Sequence, residues 1–286
     1  MDRYALLGFP VHHSISPAIY NAAFEALHID ARYEAIEVRP EALASTVRDL
    51  RNAGFRGWNV TLPHKERILQ YIEVVDPPAA EVGAVNTVYR AGPALHGANT
   101  DVAGIVESLE PYRDRIAGKS ALIFGAGGAA RAAVVALTGS LGCIRLFLYN
   151  RTRSRAELLL RDFGTRLREK RVDIAIVDEA GLDEALRRAV CVVNTTSAGM
   201  HPYEDALPAP SIRFRDSHVA FDAVYVPERT RFLREAEAAG ARCVAGLDML
   251  IRQAACAFSL WTGRSMPFDA ARNAATLELL QRSRLS

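Results

Sequence analysis

The chain has 286 residues, with Lys+Arg 35 against Asp+Glu 33, a formal net charge of +2, 50% apolar and 24% charged residues. That composition excludes a disordered chain and fits one large or two medium globular domains. Near-neutral charge removes the main argument for a nucleic-acid or anionic-membrane partner. Cys143, Cys191, Cys243 and Cys256 show no CxxC spacing and read as reduced thiols of a cytoplasmic protein. The first eight residues hold too short an apolar run for a signal peptide. The most apolar later stretch is broken by Arg131 and by glycines, so no membrane span is expected. Asn59, Asn150 and Asn194 head Asn-x-Ser/Thr triplets, which read as chance matches or as loop chemistry rather than glycosylation.

In chain order, residues 4–8, 32–38 and 57–60 read as strands, and 17–27, 40–53 and 63–71 as the helices between them. Such alternation predicts a largely parallel sheet in an α/β fold. Residues 85–89 and 94–98, around Gly92-Pro93, form a further strand pair, and a helix begins near Asp101. After Gly118 the alternation restarts, with strands over 120–124, 144–149, 173–177, 190–194 and 219–223. A boundary near Asp101 and a second α/β unit to about Ala245 follow. The tail over 247–285 is helical, interrupted at Thr262-Gly263 and Pro267.

The strand at 120–124 runs into Gly125-Ala126-Gly127-Gly128-Ala129-Ala130 and then a helix-forming run. This is G-x-G-x-x-A between strand and helix. Gly125 permits the tight turn, Gly127 lets backbone approach a pyrophosphate, and Ala130 allows close packing. The helix N-terminus supplies N–H groups and positive dipole for phosphates. The alternative is a merely structural tight turn. The next strand ends in Asn150-Arg151-Thr152-Arg153-Ser154-Arg155, with no acid where an NAD-selective site takes the ribose 2′-OH. Arginine forks suit a 2′-phosphate, so the pattern favours NADP(H) over a solvated basic helix start.

In the first half, Ser14-Ile15-Ser16-Pro17 ends a strand–helix loop, with Ser16 expected as N-cap and Pro17 at N1. Two hydroxyls beside helix N–H groups can hold a carboxylate; plain capping is the alternative. Thr61-Leu62-Pro63-His64-Lys65 repeats the logic, and a lysine in a first helical turn opposes the dipole unless function requires it. Asn99-Thr100-Asp101 follows a further strand, and Asp101 also suits an N-cap. These clusters lie at C-terminal strand ends, where open α/β sheets bind ligands. Lys65, Asp101, Asn86 and Asn99 beside a nicotinamide make a proton-transfer site. His12, His13 and His64 crowd the same region, but no carboxylate or thiolate stands at ligand spacing, so no metal is expected.

Several segments in one order carry a specific resemblance: 8–17 (GFPVHHSISP), 59–66 (NVTLPHKE), 83–87 (GAVNT), 99–101 (NTD), the glycine loop, 150–152 (NRT), 194–200 (NTTSAGM), 222–225 (DAVY), and 249–255 (MLIRQAA) ahead of Trp261-Thr262-Gly263. Over nearly its whole length the chain resembles the shikimate dehydrogenase family. The resemblance implies two α/β domains flanking a cleft. A substrate domain with a mainly parallel sheet would cover 1–101 and a Rossmann-type NADP-binding domain 102–245, with C-terminal helices over 246–286 returning to the first. It implies NADP-dependent, reversible reduction of 3-dehydroshikimate to shikimate, in chorismate and aromatic amino-acid biosynthesis. By matching positions, Lys65 and Asp101 would be the catalytic pair. Ser14 and Ser16, helped by Tyr225, would hold the carboxylate, while Thr61, Asn86, Asp101 and Gln253 would bind ring hydroxyls. Gly125, Ala126, Gly127, Gly128 and Ala129 would cradle the cofactor, Asn150, Arg151, Thr152 and Arg155 would frame the 2′-phosphate, and Thr195, Ala223 and Gly246 would line the nicotinamide side. Phe9 departs from the Asn often found there, and Ala223 replaces a bulkier residue of some members. The rival readings are a quinate/shikimate dehydrogenase of broader substrate or cofactor use, and a dinucleotide sensor without turnover. The expected partner is a small-molecule substrate, with neither nucleic acid nor membrane; a homodimer is compatible with the sequence.

Overall fold

A computed structural model describes residues 1–283. Its first part runs β1 (Asp2–Gly8), α1 (Ser16–Ala26), β2 (Ala31–Glu37), α2 (Leu43–Asn52), β3 (Gly57–Val60), β4 (Val74–Val75), α3 (Pro77–Val82), β5 (Thr87–Ala91) and β6 (Ala94–Ala98). There follow α4 (Thr100–Leu109), α5 (Arg113–Ile116), β7 (Ser120–Phe124), α6 (Gly128–Thr138), β8 (Arg145–Tyr149), α7 (Arg153–Glu169), β9 (Asp173–Val177), α8 (Glu179–Arg188), β10 (Ala189–Asn194) and β11 (Val219–Asp222). The chain ends in α9 (Arg231–Ala238), β12 (Arg242–Val244), α10 (Gly246–Thr262) and α11 (Phe268–Ser283). Arg284 and Leu285, the end of the tail read as helical, lie outside the described residues.

The chain divides into two compact units. Met1–Thr100 joins the chain from Ile251 onward; Asp101–Leu250 forms the other. The first unit carries a sheet in the order β2-β1-β3-β5-β6-β4. β1 pairs in parallel with β2 and β3, and β4 with β6, whereas β5 runs antiparallel to both β3 and β6. Trp58, Leu7, Val60 and Val88 are buried in its core. On α10, Trp261 donates its indole N–H to Val88 O at 2.9 Å, and its ring packs against Tyr4 and Tyr20. A Cβ on Gly57 would collide with that indole, so only glycine admits it.

The other unit carries six parallel strands in the order β12-β11-β10-β7-β8-β9. The order reverses between β7 and β10, the doubly wound arrangement in which ligands bind outside the strand ends at the switch point. Leu122, Phe124, Val192, Ala220 and Phe232 build its core.

Local readings fail where a carbonyl is used by a distant segment. Residues 63–71 do not form the expected helix; a turn leads into a 3-10 stretch over Arg67–Tyr71. Lys65 O accepts from Val85 N at 2.8 Å, and Leu69 N turns to Glu66 O at 3.4 Å instead. The helix-dipole argument for Lys65 therefore lapses. Ser16 is not the N-cap of α1 either; that place belongs to Ile15, with no side-chain cap. Asp101 sits inside the first turn of α4 rather than capping it. The sequence reading also passed over β4, β12 and α3, although Asp76 caps α3 by accepting from Ala79 N at 2.8 Å. All four cysteines are free. Among the described residues no helix is long and apolar enough to cross a membrane, and no group of His, Cys, Asp or Glu could hold a metal.

Candidate substrate and cofactor sites

In the first unit the polar clusters gather on one sheet edge. Ser14 and Ser16 follow β1, Thr61 and Lys65 follow β3, and Asn99 and Thr100 follow β6. Because β5 is antiparallel to β3, Asn86, just before β5, reaches the same edge, where its carbonyl accepts from Val60 N at 2.8 Å.

Ser14 Oγ accepts from Ser16 N at 3.2 Å and donates to Ser16 Oγ at 3.1 Å. This replaces the expected cap with a local serine hook. Ser14 is half-buried and Ser16 buried. Thr61 N donates to Leu7 O at 2.8 Å, so β1 and β3 jointly fix the Thr61–Lys65 turn. His64, fully buried, sets its Nε2 2.6 Å from Val38 O. His12 instead pairs with Glu37 at 3.3 Å on the exposed surface.

Asn86 is buried, and its Oδ1 accepts from Thr100 N at 2.7 Å. Thr100 Oγ1 lies 3.2 Å from Gln253 Oε1, which brings α10 to the β5–β6 edge. Asn59 donates Nδ2 to Asn86 O at 3.2 Å and to Thr87 Oγ1 at 3.0 Å, and accepts from Tyr33 Oη at 2.8 Å. The sequence offers Thr87 and Thr100 only as motif letters and Asn59 as the head of an Asn-x-Thr triplet, whereas Asn59 lies within β3 rather than in a loop. A hydroxyl beside each candidate ligand was the available signal. Asp101, the next residue after Thr100, is buried and is counted with the second unit.

In the second unit every expected cofactor residue stands at a C-terminal strand end. Gly125, at φ +112, has the left-handed backbone that favours glycine, and a Cβ there would strike Thr195 Oγ1. Thr195 donates that hydroxyl to Phe124 O at 2.6 Å. A Cβ on Gly127 or Gly128 would meet nothing within 4 Å, and Gly127 caps α6 without a side chain. The turn thus leaves room for an anion against helix N–H groups, which fits a dinucleotide pyrophosphate. Ala126 and Ala129 are half-buried in the same loop.

Asn150 donates Nδ2 to Thr152 O at 2.7 Å, closing the turn before α7. No acid stands in the first turn of α7. Arg153 is paired with Glu157 at 2.9 Å, whereas Arg151 and Arg155 are exposed and have no ion pair among the described residues. Two unneutralised guanidinium groups and no carboxylate suit a phosphate dianion.

Ala223 N donates to Asn194 O at 2.9 Å. Beneath it, fully buried Asp222 accepts from Asn194 Nδ2 at 2.9 Å, Val224 N at 3.0 Å and Thr230 Oγ1 at 2.6 Å. Burial pushes its carboxyl up to about 7, against the pull of those three donors. A Cβ on Gly246 would lie 2.5 Å from Val224 O, a packing reason for glycine that involves no ligand. Tyr225 follows in the loop after β11, half-buried and within the second unit.

Comparisons with known proteins agree with this geometry. A family model for the shikimate dehydrogenase substrate binding domain matches residues 6–88, and one for the shikimate 5'-dehydrogenase C-terminal domain matches 246–276. The shikimate dehydrogenase (NADP(+)) of Moorella thermoacetica is 46% identical over 92% of this chain and 88% of its own length. The crystal structure of Thermus thermophilus shikimate 5-dehydrogenase in complex with NADP(H) and shikimate superposes with a TM-score of 0.85. It is 39% identical and covers 97% of this chain and 100% of that one. The quinate dehydrogenase of Corynebacterium glutamicum in complex with NAD has a TM-score of 0.88 at 28% identity, covering 96% and 99%. At 46% identity to the Moorella enzyme over 92% of its own length, the chain belongs to the shikimate dehydrogenase family.

Proposed function

We propose that this chain catalyses the NADP-dependent, reversible reduction of 3-dehydroshikimate to shikimate. The observation that carries the reading is the 46% identity to a shikimate dehydrogenase (NADP(+)) over 92% of the chain. The serine hook and held amides on one sheet edge support it, as do the two unpaired arginines after β8. Residues 1–101 with the helices from 246 onward form the substrate-binding part, and 102–245 the cofactor-binding part. NADP(H), when bound, supplies the hydride. The 125–129 loop holds the pyrophosphate, Asn150, Arg151, Thr152 and Arg155 frame the 2′-phosphate, and Thr195, Ala223 and Gly246 line the nicotinamide side.

Ser14 spends its proton on Ser16 Oγ, which leaves the Ser16 hydroxyl to donate to the substrate carboxylate, assisted by Tyr225. Thr61, Asn86 and Gln253 bind the ring hydroxyls. Lys65 donates the proton to the oxygen of the ring ketone as it becomes an alkoxide, and accepts it in the reverse direction. Asp101 binds the adjacent hydroxyl. The four free thiols suit a reducing, cytoplasmic setting.

Initial rates with shikimate and quinate, each with NADP and NAD, test the reading. The expected result is the highest kcat/KM for shikimate with NADP. Comparable quinate or NAD turnover would favour the broader quinate/shikimate reading, and no turnover with any pair would leave a dinucleotide sensor.

A further inference from the structure

A run of buried polar side chains extends through the first unit from the sheet interior to its ligand edge, and Thr100 meets two of its amide oxygens. Asn59 Nδ2 lies near the carbonyl of Asn86, which can only accept, so Asn59 presents N–H to Thr87 Oγ1 at 3.0 Å. Thr87 Oγ1 thus accepts there and has one proton to pass on. Its two neighbours are Thr100 Oγ1 at 3.0 Å and Asn86 Oδ1 at 3.1 Å. Asn86 Oδ1 already receives the Thr100 backbone N–H at 2.7 Å, a bond that no side-chain rotation can reverse. Gln253 turns its Oε1 to Thr100 Oγ1 at 3.2 Å, and an amide oxygen can only accept. Thr100 Oγ1 also lies 3.2 Å from Asn86 Oδ1, but that oxygen already has the backbone N–H, so donation of the hydroxyl to Gln253 serves both amide oxygens. The Thr87 proton goes either to Thr100 Oγ1 or to Asn86 Oδ1. All five residues of this run, Thr87 and Thr100 included, are buried, so a missing link would leave a polar atom without water.

We propose that Thr100 is a positioning residue that sets the amide orientation of both Asn86 and Gln253 for substrate recognition. Its backbone N–H holds the Asn86 oxygen and its hydroxyl holds the Gln253 oxygen. With both oxygens held, each amide can offer a ligand only its NH2 group, a donor. The two amides then recognise oxygen lone pairs and reject a substrate that presents a donor there. This rests on the proposed contact of Asn86 and Gln253 with the substrate hydroxyls.

The test is steady-state kinetics with shikimate on Thr100→Val, Thr100→Ser, Gln253→Ala and the double variant Thr100→Val/Gln253→Ala. Valine keeps the shape of threonine but cannot donate to Gln253, so the bond from Thr100 to the Gln253 amide oxygen is lost. The expected shikimate KM rises about 3- to 10-fold in Thr100→Val with kcat within about twofold, as one hydrogen bond's worth of ordering is lost. Thr100→Ser restores KM, because the hydroxyl returns. In the Gln253→Ala background, Thr100→Val adds nothing, because the group it acts through is gone. Should Thr100→Val fail to fold, Thr100→Ala removes the same hydroxyl and is read in the same way, in both backgrounds. A raised KM in Gln253→Ala with the threonine effect multiplied onto it overturns the positioning role alone. So does failure of Thr100→Ser to rescue, or an unchanged KM in the variant that lacks the Thr100 hydroxyl. An unchanged KM in Gln253→Ala removes the reading of Gln253 and this inference with it.

Discussion

The β7–α6 loop of the second unit offers a ligand backbone: a glycine at φ +112, open space over Gly127 and Gly128, and a helix N-terminus with no side chain across it. The β3–β5–β6 edge of the first unit offers side chains instead. Their directions are set by hydrogen bonds to residues 14, 27 and 153 positions away. The two kinds of site tolerate change differently. A backbone cradle is damaged by added volume, since even a methyl on Gly125 would strike Thr195. A side-chain network is damaged by removing a single proton donor of unchanged shape. Within the second unit, the arginines after β8 form an exception to the backbone rule, because they are exposed side chains that offer charge.

The largest expected effect lies on the side-chain edge. Lys65→Ala should lower kcat by ~10²–10⁴, the usual range for a general acid–base group, with a smaller change in KM. Single-turnover rates check this directly, and a near-wild-type value would remove Lys65 from the chemistry.

On the other unit, Arg151→Ala/Arg155→Ala should lower kcat/KM for NADP by ~10–10² while NAD changes little. Solvent screening holds the value to the lower end for such exposed groups. Arg153→Ala serves as the internal contrast, because its guanidinium is already matched by Glu157 at 2.9 Å. An equal loss for both cofactors in the double variant would show that the loop does not read the 2′-phosphate.

The smallest effect concerns stability rather than turnover. Asp222, with its carboxyl raised to about 7 by burial, binds a proton in the folded state at pH values where the unfolded chain has released it. Its contribution therefore falls as pH rises through about 7, and is fully present only below the ordinary carboxylate range. Between pH 6 and 8 the stability of wild type relative to Asp222→Asn should drop by about 1 kcal/mol, read by urea denaturation at both pH values. A constant difference would mean that Asp222 stays ionised throughout.

The sequence was most legible where recognition and structure are both local. Strands β7 and β9 lie where alternation placed them, and the glycine loop stands between strand and helix as read. The family, the α/β fold and the NADP class of the relatives agree with the expectations drawn from the motifs. Legibility fell where a segment's partner is remote. Nothing within residues 63–71 tells that Val85 takes the Lys65 carbonyl, and the expected helix gave way to a turn. Ser16 looked like a cap because Ser-Pro is a helix start, but Ile15 caps and the Ser16 hydroxyl receives Ser14. The Thr100–Gln253 contact was invisible for the same reason: it joins residues 153 positions apart.

The first unit is built from both ends of the chain, with Asp101–Leu250 inserted between them. While that insert is unfolded it is a loop of roughly 150 residues, and closing it carries an entropic penalty of about 4 kcal/mol. Thr100 and Gln253 nevertheless come within 3.2 Å. Once the insert is folded, its two ends no longer roam independently, and most of that penalty has already been met within its own contiguous core. Completion of the first unit is therefore favoured after the second has formed. A chain emerging in order from its N-terminus holds every residue of the insert before it holds Trp261, whose indole N–H closes onto Val88.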